Sequence, residues 1–337
     1  MNRLASWGAR AGVVAALSVL MPDGAVSMEK YSPMLPGVST GVPAAALPPD
    51  GFYFNLILNP EWGSVKDGSG NNVNIPAPGV GQPKTNAFAV TPQFIWAPGV
   101  EFLGARYGAM ITQPFTHQVT SYSGGNPDAT DTTPFNTIVT PLMLSWNLGN
   151  GWFVGGGLSF YLKDAPFYHS WNGTREAVNG KTFGNNFWTF EPNFAISYLG
   201  DDWNVTLNNT FDFNTKNNVT GYYSGATYFL DVTAAKRFGP WQIGVIGNYV
   251  QQFENDKIND VVVAATPGVN SYGSKIQHVK VGPIIGYTFQ NGMSLTARYL
   301  AALHTENDIA VNQVWLTWST ALFSNGPPGP TSKLITK

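Results

Sequence analysis

The chain contains no cysteine. That excludes disulfides and thiolate metal sites, and it suits an oxidising compartment. Charge is also scarce: 11% of residues are Asp, Glu, Lys or Arg, against roughly 25% in ordinary soluble domains. The two signs nearly cancel, with 18 basic and 20 acidic residues. No basic footprint is left for nucleic acid, which is excluded as a partner. Beyond the first 25 residues no apolar run approaches the roughly 18 residues that a transmembrane helix needs. The four histidines, at 117, 169, 278 and 304, have no close ligand spacing, so no metal is expected. "GVGQP" and "GNG" lack the strand–glycine–helix context of a phosphate cradle. No cofactor and no catalytic residue is expected either.

What is abundant points to β structure. Aromatics make up 14% of the chain and there are 37 glycines. The N-terminus reads as an export signal. Arg3 and Arg10 supply its positive region, "AGVVAALSVLM" (residues 11–21) its apolar core, and Ala25-Val26-Ser27 a small-x-small cleavage site. Export without a helical anchor, in a chain so poor in charge, points to the bacterial outer membrane. The expected fold is an all-β, antiparallel, up-and-down transmembrane barrel.

About twelve segments alternate in polarity, at 51–61, 86–97, 102–113, 137–147, 152–162, 187–198, 203–213, 226–237, 241–252, 277–289, 294–304 and 311–323. Each is long enough for the roughly 9–11 tilted residues that cross a bilayer. Tight turns ("PGVE", "NLGNG", "GDD", "FGP", "QNG") alternate with long connections at 63–84, 114–136, 163–186, 214–225 and 254–276. Short periplasmic turns and long extracellular loops are the pattern of membrane barrels. The chain therefore divides into a signal peptide (1–27), a Pro/Gly-rich segment (28–49), the barrel (50–323) and a tail (324–337). Trp96, Trp146, Trp152, Tyr198, Trp203 and Trp241 lie within a few residues of short turns, as a periplasmic aromatic girdle would. Outer-membrane lipid is the partner that this girdle and the outward apolar positions require.

Parity assigns each strand an inner face. Inward fall Arg106, Glu191, Asp212, Asp231, Lys280 and Arg298, a mid-height charge belt, together with His278 and His304. An isolated charge facing lipid would cost several kcal/mol. Such a belt either sets a transverse field across a pore or pairs internally and fills the lumen. Pro92, Pro141, Pro192 and Pro283 recur about six residues before short turns. A ladder proline cannot donate, which predicts local bulges. The prolines serve either as a repeated curvature device or as a weak seam through which a greasy solute leaves sideways. Tyr122, Phe135, Phe167, Tyr168, Trp171, Tyr222 and Tyr223 are loop aromatics that either capture such a solute or pack the loops together. Residues 28–49 are too apolar for a comfortable disordered tail and are a candidate plug.

"LPGVSTGVPAAALPPDGFYFN", in which a Pro/Gly-rich stretch leads through "PPxGFYF" into the first strand, resembles the opening of the outer-membrane proteins named for the phenol meta-cleavage pathway. "VKVGPIIGYTF" (residues 279–289), followed by a strand, a short link and a final strand, is similar to that family's closing hairpins. The resemblance implies a barrel that admits aromatic or other hydrophobic compounds, its small-molecule partners, through the outer membrane. It implies no catalytic residues. The chain departs from the family's usual ending, since "SNGPPGPTSKLITK" follows Phe323. An enzymatic reading comes from "YHSWNGTRE", which places His169, Ser170 and Asn172 together and loosely resembles the Ser-His-Asn set of outer-membrane phospholipases. A hydrophilic porin and a structural barrel without specific transport would share the same strand pattern.

Overall fold

The computed structural model describes residues 32–75, 79–125, 129–166, 170–171, 175–176, 184–264 and 272–325. The signal peptide, most of the tail and residues 168–169 and 172–174 of "YHSWNGTRE" lie outside them. Among the described residues no helix is long and apolar enough to cross a membrane. Twelve antiparallel strands close into a barrel. They are β1 (Gly51–Val65), β2 (Pro83–Ala97), β3 (Ala105–Thr112 continued by Phe115–Tyr122) and β4 (Ala129–Pro134 continued by Ile138–Gly149). β5 (Trp152–Tyr161), β6 (Thr189–Tyr198), β7 (Trp203–Asn214) and β8 (Thr227–Phe238) follow. The circuit ends with β9 (Trp241–Gln252), β10 (Gln277–Thr288), β11 (Ser294–Glu306) and β12 (Ile309–Ser324). Closure is direct: β1 pairs with both β2 and β12, from Gly51↔Ser324 to Val65↔Ile309 on the β12 side. Among the described residues the barrel wall itself has no open edge, while Ala129–Pro134, above the wall, pairs on one side only.

The tight turns carry the residues their geometry needs. Between β6 and β7, Asp201 and Asp202 both have positive φ, 52° and 64°, as a two-residue turn matched to strand twist requires. The connections expected as loops are partly strand. β3 and β4 continue past the wall as a hairpin pairing Phe115↔Pro134 to Thr120↔Ala129. Short strands at Tyr222–Tyr223, Lys257–Ile258 and Val261–Val262 form a separate small sheet in the loops.

The two faces follow parity. Outward lie exposed Phe190, Phe194, Val205, Leu207, Phe211, Ile243, Val245, Val281, Ile285 and Leu295, a contiguous apolar band far larger than a soluble monomer tolerates. Trp96, Trp152, Trp203 and Trp241 are exposed at the short-turn end. Trp152 packs on Tyr198 with centroids 5.1 Å apart. Trp146 donates its indole N–H to Leu103 O (3.1 Å) in the neighbouring turn. Inward, polar side chains bridge adjacent strands: Thr140 with Ser159 (2.8 Å), Asn193 with Asn208 (3.0 Å) and Ser197 with Thr206 (2.8 Å). The inner face is not uniformly polar. Ile57, Ile246, Ile284, Leu300 and Trp315 are buried there, packed against Leu35 and Val38.

Candidate functional site

Leu35 and Val38 belong to the segment that precedes β1, and this segment runs inside the barrel. Ser39 donates its backbone N–H (3.0 Å) and its hydroxyl (2.6 Å) to Asp231 Oδ2 on β8. Gly41 N–H reaches Thr233 Oγ1 (2.7 Å), and Ala45 N–H reaches Ser197 Oγ (3.2 Å). In return Ser145 donates to Ala45 O (2.7 Å) and Asn204 to Gly41 O (3.1 Å). Arg298 on β11 donates through Nη1 to the carbonyls of Val38 (3.1 Å) and Thr40. Arg106 on β3 donates to Leu47 O (3.1 Å), Pro48 O (2.7 Å) and Asp50 Oδ1 (2.8 Å). The segment has no regular ladder of its own, so its buried backbone groups find partners on the barrel wall. Gly37 and Gly41 have φ of +87° and +79°, and a Cβ there would stand 2.3 Å from Leu300 Cδ1 and 2.5 Å from Ile284 Cδ1. Only glycine combines that backbone with so close an approach.

Beside this segment lies a cavity of ≈ 180 Å³. An apolar cavity of about 150 Å³ is enough to bind benzene. Its walls come from β1 to β6, β12 and the N-terminal segment, with Leu35, Ile57, Met110, Phe135, Ile138 and Trp315 among the apolar surfaces. Tyr161 and Glu191 face it from β5 and β6, and Glu61 from β1.

The belt residues do three different things. Arg106, Asp231 and Arg298 hold the N-terminal segment, and Arg298 also lies over the Trp315 ring at 5.2 Å. Lys280 donates to Gln313 Oε1 (2.9 Å), which in turn donates to Glu61 Oε2 (2.9 Å). Glu191 and Asp212 form a third group: the two carboxyls are buried against each other, with the Tyr161 hydroxyl beside Glu191 and the Met34 N–H beside Asp212. His278 bonds Asp308 (2.9 Å) and Asn248 (3.1 Å), whereas His304 is exposed beside Glu306. Among the described residues no His/Asp/Glu cluster could hold a metal ion.

The four prolines all sit on the outer face, but only Pro141 comes with a register shift, between Val139 and Leu142 against β5. At Pro192 the β6–β7 ladder passes from Phe190↔Phe213 to Asn193↔Thr210 in unchanged register. At Pro283 the β10–β11 ladder passes from Val281↔Ala301 to Ile284↔Arg298. Pro92 still accepts from Gln113 N–H (3.0 Å) between paired flanks. The bulge expected at each proline is therefore a skipped pair at three of them. Proline removes one donor toward one neighbour, while the flanking pairs hold register. Of the loop aromatics, Phe135 turns inward to the cavity and Tyr122 packs against Val73, Ile75 and Val80. Tyr222 and Tyr223 donate to Asp256 (2.7 Å) and Glu254 (2.5 Å). Phe167 and Tyr168, with the side chain of Trp171, lie outside the described residues. Parity reasoning missed the inward Phe229, Ile246, Ile284, Leu300 and Trp315. Their strands carry apolar residues on both faces, a signal of something inside the barrel to pack against.

A closed barrel with an apolar outer band, an aromatic rim and an occupied lumen is a transmembrane barrel of the outer-membrane type. The chain belongs to the family described as "Putative MetA-pathway of phenol degradation", whose profile matches residues 63–318. Its fold is similar to that of an outer-membrane channel from Pseudomonas putida F1, with TM-score 0.66, 12% identity, and coverage of 85% of this chain and 100% of that one. Weaker likenesses are the translocator domain of the autotransporter NalP from Neisseria meningitidis (TM-score 0.47, 9% identity, 83% and 91% coverage) and the toluene transporter TodX from Pseudomonas putida (TM-score 0.41, 10% identity, 90% and 96% coverage). No curated protein matches in sequence.

Proposed function

We propose that this protein is a passive outer-membrane channel for small hydrophobic or aromatic compounds, with residues 28–49 as a plug that keeps the lumen closed to hydrophilic solutes. The observation that carries this reading is the largely apolar cavity of ≈ 180 Å³ beside the segment lodged in the lumen. A water-filled porin has no use for buried Ile284, Leu300 and Trp315 on its inner wall. Family membership and the outer-membrane channel with the same fold support the same reading. The protein acts without catalysis on this view, and its partners are the surrounding lipid and the solute itself. The interrupted ladders at the four prolines, and the break at Gln113–Pro114 where β3 changes partner segment, are candidate points for sideways exit into the bilayer.

The test is comparative flux in proteoliposomes. Toluene should equilibrate faster through protein-containing vesicles than through empty ones, while arabinose causes no swelling above control. Rapid arabinose entry without toluene enhancement would instead make it a hydrophilic porin. Release of fatty acid from added phospholipid by the purified protein would establish the hydrolase.

A further inference from the structure

Among the described residues, Glu61 and Glu191 are the charged ones that line the cavity, and no Lys, Arg or His joins them there. The nearby bases are engaged elsewhere. Lys280 bonds Gln313, and Arg298 bonds the carbonyls of Val38 and Thr40. Glu191 borders the cavity with the Tyr161 hydroxyl and the buried Asp212 carboxyl as its hydrogen-bonding neighbours. Buried carboxylates in natural proteins are hydrogen-bonded or ion-paired, because water no longer solvates them. Here Glu191 has hydrogen-bonding neighbours but no ion-pair partner among the described residues, and it borders a cavity large enough for one aromatic ring. The remaining wall includes Phe135 and Tyr161, aromatic rings of a kind that attracts cations, and Trp315, whose ring already carries Arg298 at 5.2 Å.

We propose that this cavity is a binding site for a lipophilic organic cation: a protonated amine directed at Glu191, carried on an aromatic or short aliphatic body that fills the apolar wall. The ammonium would supply the ion-pair partner that Glu191 lacks. It would also offset the like charge of Glu191 and Asp212, and the body would displace water from surface that binds it poorly. The same wall disfavours an anionic aromatic, because a carboxylate entering it meets two further carboxylates and no base among the lining residues. A channel built this way sorts aromatic solutes by the charge of their head group after the apolar body has been accepted. This inference rests on the reading of the cavity as part of an uptake route, and it adds the class of solute held most tightly.

The test uses the full chain in detergent micelles and an isosteric series titrated calorimetrically near neutral pH: benzylamine, benzyl alcohol and benzoate. Benzylamine is expected to bind at least about tenfold more tightly than benzyl alcohol, a difference of about 1.4 kcal/mol, with benzoate weakest. Glu191→Gln should bring the benzylamine to benzyl alcohol ratio to within about twofold of unity, and Glu61→Gln should lower it less. The ratio is read only in variants that keep the wild-type resistance of a folded barrel to unheated SDS. Glu61→Gln keeps the test decisive if Glu191→Gln fails that criterion. Benzyl alcohol or benzoate binding as tightly as benzylamine to the wild type overturns the proposal, as does an unchanged ratio in both folded variants. Toluene flux through vesicles, measured in parallel, separates this proposal from the uptake reading. Flux without an amine preference refutes the cation site alone, whereas an amine preference without flux upholds the site and removes the transport role.

Discussion

Asp231 is where the lodged segment can be loosened by a single side chain. Its Oδ2 accepts both the N–H and the hydroxyl of Ser39, and its Oδ1 accepts from Asn248 Nδ2 (2.6 Å). Asp231→Ala deletes two charge-assisted bonds to the segment. It also leaves the Ser39 N–H, Asn248 and the Arg298 charge short of a partner. Removing one member of a buried, hydrogen-bonded charged set costs about 3–5 kcal/mol. The absolute hold on the segment is a difference between such bonds and the entropy of ordering it, so the change is the quantity worked here. At about 1.4 kcal/mol per decade, the undocked population should rise by roughly 10²-fold to a few thousandfold. Two measurements read it. Hydrogen exchange of peptides spanning 35–47 should lose protection by that factor, while peptides from β7 and β9 stay protected. In planar bilayers the variant should show brief openings absent from the wild type, and a chain lacking residues 28–49 should conduct at that level continuously. If the truncated chain conducts no better than the full one, the plug reading is wrong. If Asp231→Ala leaves exchange unchanged, the Ser39–Asp231 pair does not hold the segment.

Three further outcomes are expected. Gly41→Val places a branched side chain at φ +79°, with its Cβ 2.5 Å from Ile284 Cδ1 and 3.2 Å from Arg298 Cδ; a cost of about 1–3 kcal/mol should lower segment protection by about tenfold or more, and unaltered exchange would count against the crowding argument. Glu254 is held below its ordinary 4.5 first by the Tyr223 hydroxyl and then by Lys257, against the opposing effect of burial. A carboxylate with a lowered folded pKa stabilises above its unfolded value, and that contribution is lost as pH falls through the folded one. Protection factors in the small loop sheet, with the intrinsic pH dependence of exchange divided out, should therefore fall in acid, below the ordinary carboxylate range, and Tyr223→Phe should weaken that pH dependence. Pro192→Val restores a donor toward β7 and should raise stability by about 0.5–1.5 kcal/mol, read as a higher thermal midpoint with toluene flux unchanged; a flux that slows as the midpoint rises would make the skipped pair a gate.

The barrel was legible because lipid enforces a rule at every second residue. "FWTFEPNFAISY" alternates so strictly that β6 (Thr189–Tyr198) lies within it, and "WNVTLNNTFDF" gives β7 to within a residue. Where the rule relaxes, the reading weakens. "FTHQVTSY" follows Pro114 and alternates poorly, so it reads as loop, yet it extends β3 to Tyr122. Its outer positions stand where no bilayer selects for apolar side chains. Nor did each strand proline produce a bulge, since losing one donor leaves the flanking pairs to keep register.

Inward charge was legible for the same reason, but its partners were not. Arg106 and Arg298 donate largely to backbone carbonyls of residues 38–48. A carbonyl is present in every residue and marks no position in a sequence. The apolar lumen residues were hidden in the same way, because a buried Leu300 has a meaning only once Leu35 and Val38 are known to lie opposite. Glu191 and Asp212 are the informative remainder. At inward parity they are two acids among several, and any base on a facing strand would satisfy them. The fold sends each base elsewhere, to the N-terminal segment or to Gln313, and so leaves Glu191, with Asp212 behind it, at the wall of a ring-sized cavity without a cation beside it. A pair retained only to fill the lumen would serve better as two amides like Asn193 and Asn208, which bond each other at 3.0 Å. A carboxyl left without a cation at this position is what a channel would carry if its solutes bring the missing charge with them.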